Sequence, residues 1–507
     1  MTWRGHLTRP TWAPALGLCA AFVFFVPLSA VFHQSDITWG LRAFIVLLTG
    51  LSALAPTTGI VLLSILAPMM LVVASISGWV LSPAQLTDAC MLAVVSGASL
   101  RLTARRGPPE RLAGLAMAFG AAVLASTLVE LHQLIVIAPQ RPLWDEVWHH
   151  LTIDYWRAPR EFPILHDSAR WLAGLALAVY AERVLRASPR MAPSIIRLWI
   201  LGGTAGALLT VVRLGEQVLS SGMSAGAAAA WILNGARLSA LQPDPNAAGS
   251  YFALFLIPAA IIGWQRRNYW MLCISLPLLL LSCGLARSRA AIGAIMAVVS
   301  TRGIALARWP LAARLAIAAV VIPAGVSLAF LVATSRTHVG LGAAAEVRVQ
   351  MTRVAWRTAE TRPVFGVGLG NYIRRSRRFI TPDMTLLESF APNGENAHNN
   401  YLQILVELGI PAALLFVAMV GAVVRAGWTA PPFLRTPELE GMMLGLLAFL
   451  MSAIFGHPLL VPEVFGVFAL ALGLTAGLGP PPGPSSTWRR SVLPGIAAFY
   501  VVSVLWR

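Results

Sequence analysis

One stretch of this chain gathers most of the side chains that could do chemistry. Glu395-Asn396-Ala397-His398-Asn399-Asn400 leads into Tyr401-Leu402-Gln403-Ile404-Leu405-Val406-Glu407-Leu408-Gly409. A histidine, several amides and a carboxylate stand where a polar segment enters a long apolar helix. Polar groups at that depth are expensive and usually functional. A histidine there suits a general base, since its neutral ring accepts a proton near neutral pH. Gln403 and Glu407 are four residues apart and share a helix face.

Two arginine-bearing segments offer the complementary chemistry, which is binding an anion. Leu285-Ala286-Arg287-Ser288-Arg289-Ala290-Ala291 puts Arg287 and Arg289 at the tip between two apolar runs. Residues 343–361 have helical spacing, carry Arg348 and Arg353, and end at Pro363. Pro363-Val364-Phe365-Gly366-Val367-Gly368-Leu369-Gly370-Asn371 follows and reads as a tight turn. It neither follows a strand nor opens a helix, so it is not a nucleotide loop. Asp244-Pro245-Asn246 is expected to cap the helix after it. Arg213 and Glu216 either bind substrate or pair with each other, and Arg237 is a further substrate-binding candidate. His149 and His150 would point apart on a helix, so no metal site is expected.

These segments need a membrane scaffold. The 507 residues are 57% hydrophobic and 12% charged, with mean hydropathy +0.72. Spans are expected at 12–33, 41–56, 57–77, 84–103, 111–136, 168–186, 192–212, 248–264, 269–286, 290–308, 311–334, 404–426, 437–456 and 461–479, with a short one at 491–505. The first is read as retained, and the whole chain as one integral membrane domain. The fold class is thus all-α and polytopic, with about 12–15 transmembrane helices and a large, partly helical external loop at 335–403. The four cysteines show neither metal-ligand spacing nor a disulfide framework.

Net charge is +17, and every basic residue is arginine. Short arginine-bearing connections near 101–111, 183–197, 266–267, 302–314, 425–435 and 489–490 all fall on one side, the cytoplasmic one by the positive-inside rule. That pattern explains the basic excess without nucleic acid. The loops at 137–167, 213–247 and 335–403 then face outward. Trp and Tyr residues of the first are expected in an interfacial belt.

In order and spacing, three motifs together resemble the O-antigen ligase/polymerase superfamily of bacterial inner-membrane glycosyltransferases. They are Ser288-Arg289-Ala290-Ala291, Pro363 through Asn371, and His398-Asn399-Asn400-Tyr401-Leu402 through Glu407 and Gly409, within residues 285–425. The resemblance implies His398 as the essential histidine, Arg289 as the hairpin arginine and Arg348 as the loop-helix arginine. Thr352 stands where the family usually has tryptophan, and Trp356 follows Arg353, so Arg353 stays a candidate. Arg287, Arg353, Asn399, Glu407, Arg213 and Arg237 are the expected substrate-binding set.

The implied reaction is an inverting, metal-independent transfer without cofactor. An undecaprenyl-pyrophosphate-linked glycan is the donor, a lipid or glycan hydroxyl the acceptor, and membrane lipid the surroundings. The site would face the periplasm of the bacterial inner membrane. The alternative is a transporter or flippase of lipid-linked glycans. That class favours inverted repeats and midplane charges, and neither is evident here.

Overall fold

A computed structural model of the chain describes residues 13–77, 81–102, 110–137, 142–233, 244–306 and 341–482. Among these the secondary structure is entirely helical. Among the described residues four helices are long and apolar enough to cross a membrane: Ala113–Ile137, Pro189–Ser220, Pro245–Gln265 and Ile410–Trp428. Shorter apolar helices include Gly17–Phe32, Trp39–Leu54, Met271–Ala286 and Pro462–Leu478. The chain is an all-α, multi-pass membrane protein. The expected spans at 311–334 and 491–505, and Arg237, lie outside the described residues.

The helices pack closely where small residues face backbone, as expected within a bilayer. A Cβ on Gly473 would lie 2.2 Å from the Ala178 carbonyl oxygen. Buried rings such as Phe449 and Phe468, stacked at 5.2 Å, fill the interior. Leu124, Leu128, Leu414 and Val417 are exposed along two long spans, the arrangement lipid tails would cover.

Connections expected on one side do meet. Glu182 accepts from the Arg111 and Leu112 amides, at 2.6 and 2.9 Å, and Arg111 reaches the Pro480 carbonyl at 2.7 Å. Arg266 pairs with Glu438 at 2.9 Å, and Arg302 with Glu440. Arg266 and Arg302 are thus held by acids at a helix end, and Arg111 by a backbone carbonyl.

Several expected boundaries shift. The span read as 404–426 is two helices, Asn400–Leu408 and Ile410–Trp428, broken at Gly409. Gly409 has φ +86°, Pro411 opens the second helix, and the Ile410 amide donates to the Pro363 carbonyl at 2.8 Å. The span read as 57–77 is interrupted by a 3-10 turn at Ala67–Met69, where Pro68 removes an amide donor. The span ending near 212 continues to Ser220.

The aromatic belt of the 137–167 loop is corrected in part. Trp144 and Trp148 are exposed, but Tyr155 and Trp156 are buried. Trp156 donates its indole N–H to the Pro27 carbonyl at 3.0 Å, so it ties the loop to the first helix. His149 and His150 do point apart. His149 faces Asp154 at 3.1 Å, whereas buried His150 meets His166 at 3.0 Å.

The described part of the loop at 335–403 is fastened to the helix Ala113–Ile137 by a carboxylate in that helix's last two turns. Glu130 pairs with Arg362 at 3.0 Å and with Arg375. Ser126 donates to the Phe365 carbonyl at 2.7 Å. Two of the loop's arginines therefore serve the fold.

Candidate active site

The loop helix, Leu341–Thr361, carries Arg348. Pro363 follows it, and the glycine-rich turn then lies on the end of Asn400–Leu408. Val367 and Gly368 donate to the Val406 and Glu407 carbonyls at 2.9 and 3.0 Å. The contact is backbone on backbone: a Cβ on Gly366, at φ +68°, would stand 2.2 Å from the Glu407 carbonyl carbon. The tight-turn reading accounts for this segment.

His398 precedes Asn400–Leu408 in a left-handed conformation, φ +47°. That region costs a non-glycine residue on the order of 1 kcal/mol. Neighbouring bonds hold it there. Asn396 Oδ1 accepts from the His398 amide at 3.0 Å, and Asn396 itself bonds to Glu395. Gln403 Oε1 accepts from the Ala397 amide at 2.9 Å, and Gln403 Nε2 donates to Glu407 at 2.9 Å. Asn399 caps the helix through the Leu402 amide at 3.0 Å. The backbone at His398 is thus held by a chain of amides.

Glu407 is fully enclosed in the helix preceding the 410–428 span. Burial, and then the Asp167 charge, push its carboxyl up to about 8. At neutral pH it is a hydrogen-bonding post, gathering Gln403 and the Tyr372 amide, the latter at 3.4 Å.

Arg289 opens the helix Arg289–Leu306. The preceding helix, Leu276–Ala286, is capped by Arg287 in a left-handed turn at φ +48°. Ser288 is buried and caps the new helix through the Ala291 amide at 3.3 Å. This tip abuts the helix Pro245–Gln265 at Gly249, where a Cβ would fall 2.2 Å from Ser288 Cβ. Arg289 is thereby delivered to the same end of the bundle as Asp244.

Arg348 donates to the Phe455 carbonyl at 3.2 Å. Partial burial, and then the neighbouring Arg289 guanidinium, draw Arg348 below its ordinary value. Burial, and then the charge of Arg348, do the same to His398, with Asp244 opposing. Arg348 therefore links the three: its charge acts on the His398 imidazole, and it feels the Arg289 guanidinium in turn. Arg353 is exposed on the loop helix, on a part of it that faces Asp383. The Thr381 hydroxyl, the local backbone, and then Arg357 and Arg353 hold the Asp383 carboxyl below its usual range. Arg213 lies far along its helix and faces Glu216 at 3.8 Å, both exposed.

Two further residues stand at the site. His457 packs edge-to-face on His398, with centroids 4.8 Å apart and planes at 84°. Its Nε2 lies 3.4 Å from Asp244 Oδ2. Asp244 does cap its helix, accepting from the Asn246 and Ala247 amides at 3.0 and 3.2 Å, and it also reaches the histidine pair. His457 carried no motif. Its one signal is a histidine in the short connection between two apolar spans. Among the described residues, no group of three or more His, Cys, Asp or Glu side chains is placed to hold a metal ion.

No curated protein matches the chain. Residues 274–417, which include Arg289, Arg348, the glycine turn and His398, match the family model described as O-antigen ligase. This match likens that stretch to the O-antigen ligase family and supports a ligase- or polymerase-type role in glycosyl transfer.

Proposed function

We propose that this chain catalyses inverting, metal-independent glycosyl transfer from an undecaprenyl-pyrophosphate-linked glycan to a hydroxyl acceptor, at the periplasmic face of a bacterial inner membrane. The observation that carries this reading is the cluster of His398 with Arg348 and Arg289. A site outside the cytoplasm has no nucleotide sugars, so its donor must bring its own leaving group. A lipid-linked sugar pyrophosphate does so.

The step balances on these residues. His398 takes the acceptor's O–H proton, and the freed oxygen bonds to the anomeric carbon. The bond from that carbon to the pyrophosphate oxygen breaks, and the leaving group keeps the electron pair. Arg348 and Arg289 face the negative charge that builds there, in the manner of an oxyanion site. Guanidinium stays protonated throughout and bonds phosphate bidentately. Attack opposite the leaving group inverts the anomeric configuration.

The acceptor is either a terminal one such as lipid A–core, which makes the chain a ligase, or another lipid-linked repeat unit, which makes it a polymerase. Purified protein, mixed with undecaprenyl-pyrophosphate glycan, acceptor and EDTA, should form glycosylated product and release undecaprenyl pyrophosphate. Loss of activity in EDTA would overturn the metal-independent mechanism, and movement of the donor across vesicles without product would favour transport. In a deletion strain, single repeats without long chains indicate a polymerase. Complete lipid-linked chains that never reach their acceptor indicate a ligase.

A further inference from the structure

A base set beside Arg348, which is itself neighbour to Arg289, has an electrostatic handicap. When His398 accepts a proton, a third positive charge appears in a cluster that already repels it. The reaction as proposed needs a countercharge near the imidazole, and the arginines cannot supply one.

The nearest elements contain it. His457 lies in the turn between the helices Pro437–Ser452 and Pro462–Leu478. That turn is fastened to the His398 tract at several points. The Asn400 amide donates to the Ala453 carbonyl at 2.9 Å, and the Leu459 amide to Asn400 Oδ1 at 3.1 Å. Tyr401 donates to the Leu450 carbonyl at 3.0 Å. The turn cannot shift without the tract, so the edge-to-face contact of the two rings is enforced.

Asp244 is equally fixed, because two backbone amides grip its carboxylate at a helix N-terminus. With Nε2 of His457 directed at Asp244, the ring's other nitrogen, Nδ1, is buried without a hydrogen-bonding partner. The groups acting on the two imidazoles are Arg348 from the loop helix, Asp244 from the 245–265 helix and Glu395 from the segment before the tract. Asp244 is the one carboxylate among them acting on both rings.

We infer that His457 and Asp244 are a positioning pair for His398: His457 sets the plane of the catalytic imidazole, and Asp244 balances the charge arriving on it. The inference rests on His398 being the base. Neither residue lies within the stretch matched by the family model. Burial and the adjacent His398 lower the affinity of His457 for a proton, with Asp244 and Glu395 opposing. His457 therefore enters the reaction neutral, with Nε2 facing Asp244.

The test compares full-length wild type, His398→Ala, His457→Gln and Asp244→Asn, assayed for transfer from undecaprenyl-pyrophosphate glycan across a pH series. Asparagine caps a helix about as well as aspartate, so Asp244→Asn removes the charge and keeps the fold. Both pair variants should lose about tenfold or more in kcat, with donor KM nearly unchanged. Asp244→Asn should also move the acidic limb of the pH profile downward, because a carboxylate that favoured protonated His398 is gone. Wild-type kcat and pH profile in both variants, with His398→Ala inactive, would overturn the pair and leave the base intact. Full activity in His398→Ala would instead overturn the base assignment, and the pair with it. Should His457→Gln fail to fold, Asp244→Asn alone decides.

Discussion

The Gln403 side-chain amide donates to Glu407 Oε1 at 2.9 Å while its oxygen accepts from the Ala397 amide at 2.9 Å. One side chain thus links a buried carboxyl to the backbone immediately before His398. With Glu407 pushed up to about 8, the carboxyl is mostly protonated at pH 7. Glu407→Gln should therefore keep activity within about threefold, whereas Glu407→Ala should lose tenfold or more through the unheld amides. Steady-state kinetics at pH 7 checks both. A Glu407→Gln enzyme as impaired as Glu407→Ala would mean that the charge itself matters.

The pH profile of the wild type should be set by neutral His398. Its folded value lies below the ordinary 6.5, so the acidic limb should fall below about pH 6.5. Arg348→Gln removes a positive charge that opposes protonation, so the limb should move up in pH while kcat drops. Donor KM should rise too, since a phosphate contact is lost. An unchanged limb would separate Arg348 from the imidazole.

Gly409 holds the break between Asn400–Leu408 and Ile410–Trp428. A Cβ there would lie 2.1 Å from the Val364 carbonyl oxygen, at φ +86°. Gly409→Ala should cost upwards of about 2 kcal/mol and separate the glycine turn from the His398 helix. Thermal unfolding in detergent should show a clearly lowered midpoint. A wild-type midpoint would mean the two segments are not in backbone contact.

Glu130 fastens the loop at 335–403 through Arg362 and Arg375. Both arginines keep some solvent contact, so the loss on Glu130→Gln should be about 1–3 kcal/mol, less than for a fully buried pair. The sharper readout is limited trypsin digestion, since the released loop presents several arginines. Faster cleavage within 362–378 is expected, and a wild-type pattern would show that other contacts hold the loop.

The sequence carries the scaffold and the centre of the site for a local reason. Helix hydropathy, the Ser288-Arg289 tip and the spacing from Pro363 to His398 are all written in contiguous residues. The tight turn at Gly366 and the capping role of Asp244 follow from the same local chemistry. What escapes is pairing across the fold. Asp244 and His457 lie far apart in sequence and belong to different helix ends, so their meeting depends on packing. Glu130 did leave a trace, as an acid inside an apolar span that demands a partner. Its partners, Arg362 and Arg375, lie more than 200 residues further on, so which arginines it meets depends on packing. Tyr155 and Trp156 were read by residue type as a belt, but the 3.0 Å bond of Trp156 to Pro27 draws them inward.

The most direct measurement is the rate of transfer by purified His398→Ala relative to wild type, with the anomeric configuration of the wild-type product read by NMR. The account predicts a loss of about 10²–10⁴-fold in kcat, an intact fold by size-exclusion chromatography, and inversion at the transferred sugar. A His398→Ala enzyme that turns over at the wild-type rate, or a product that retains the donor's configuration, would contradict it.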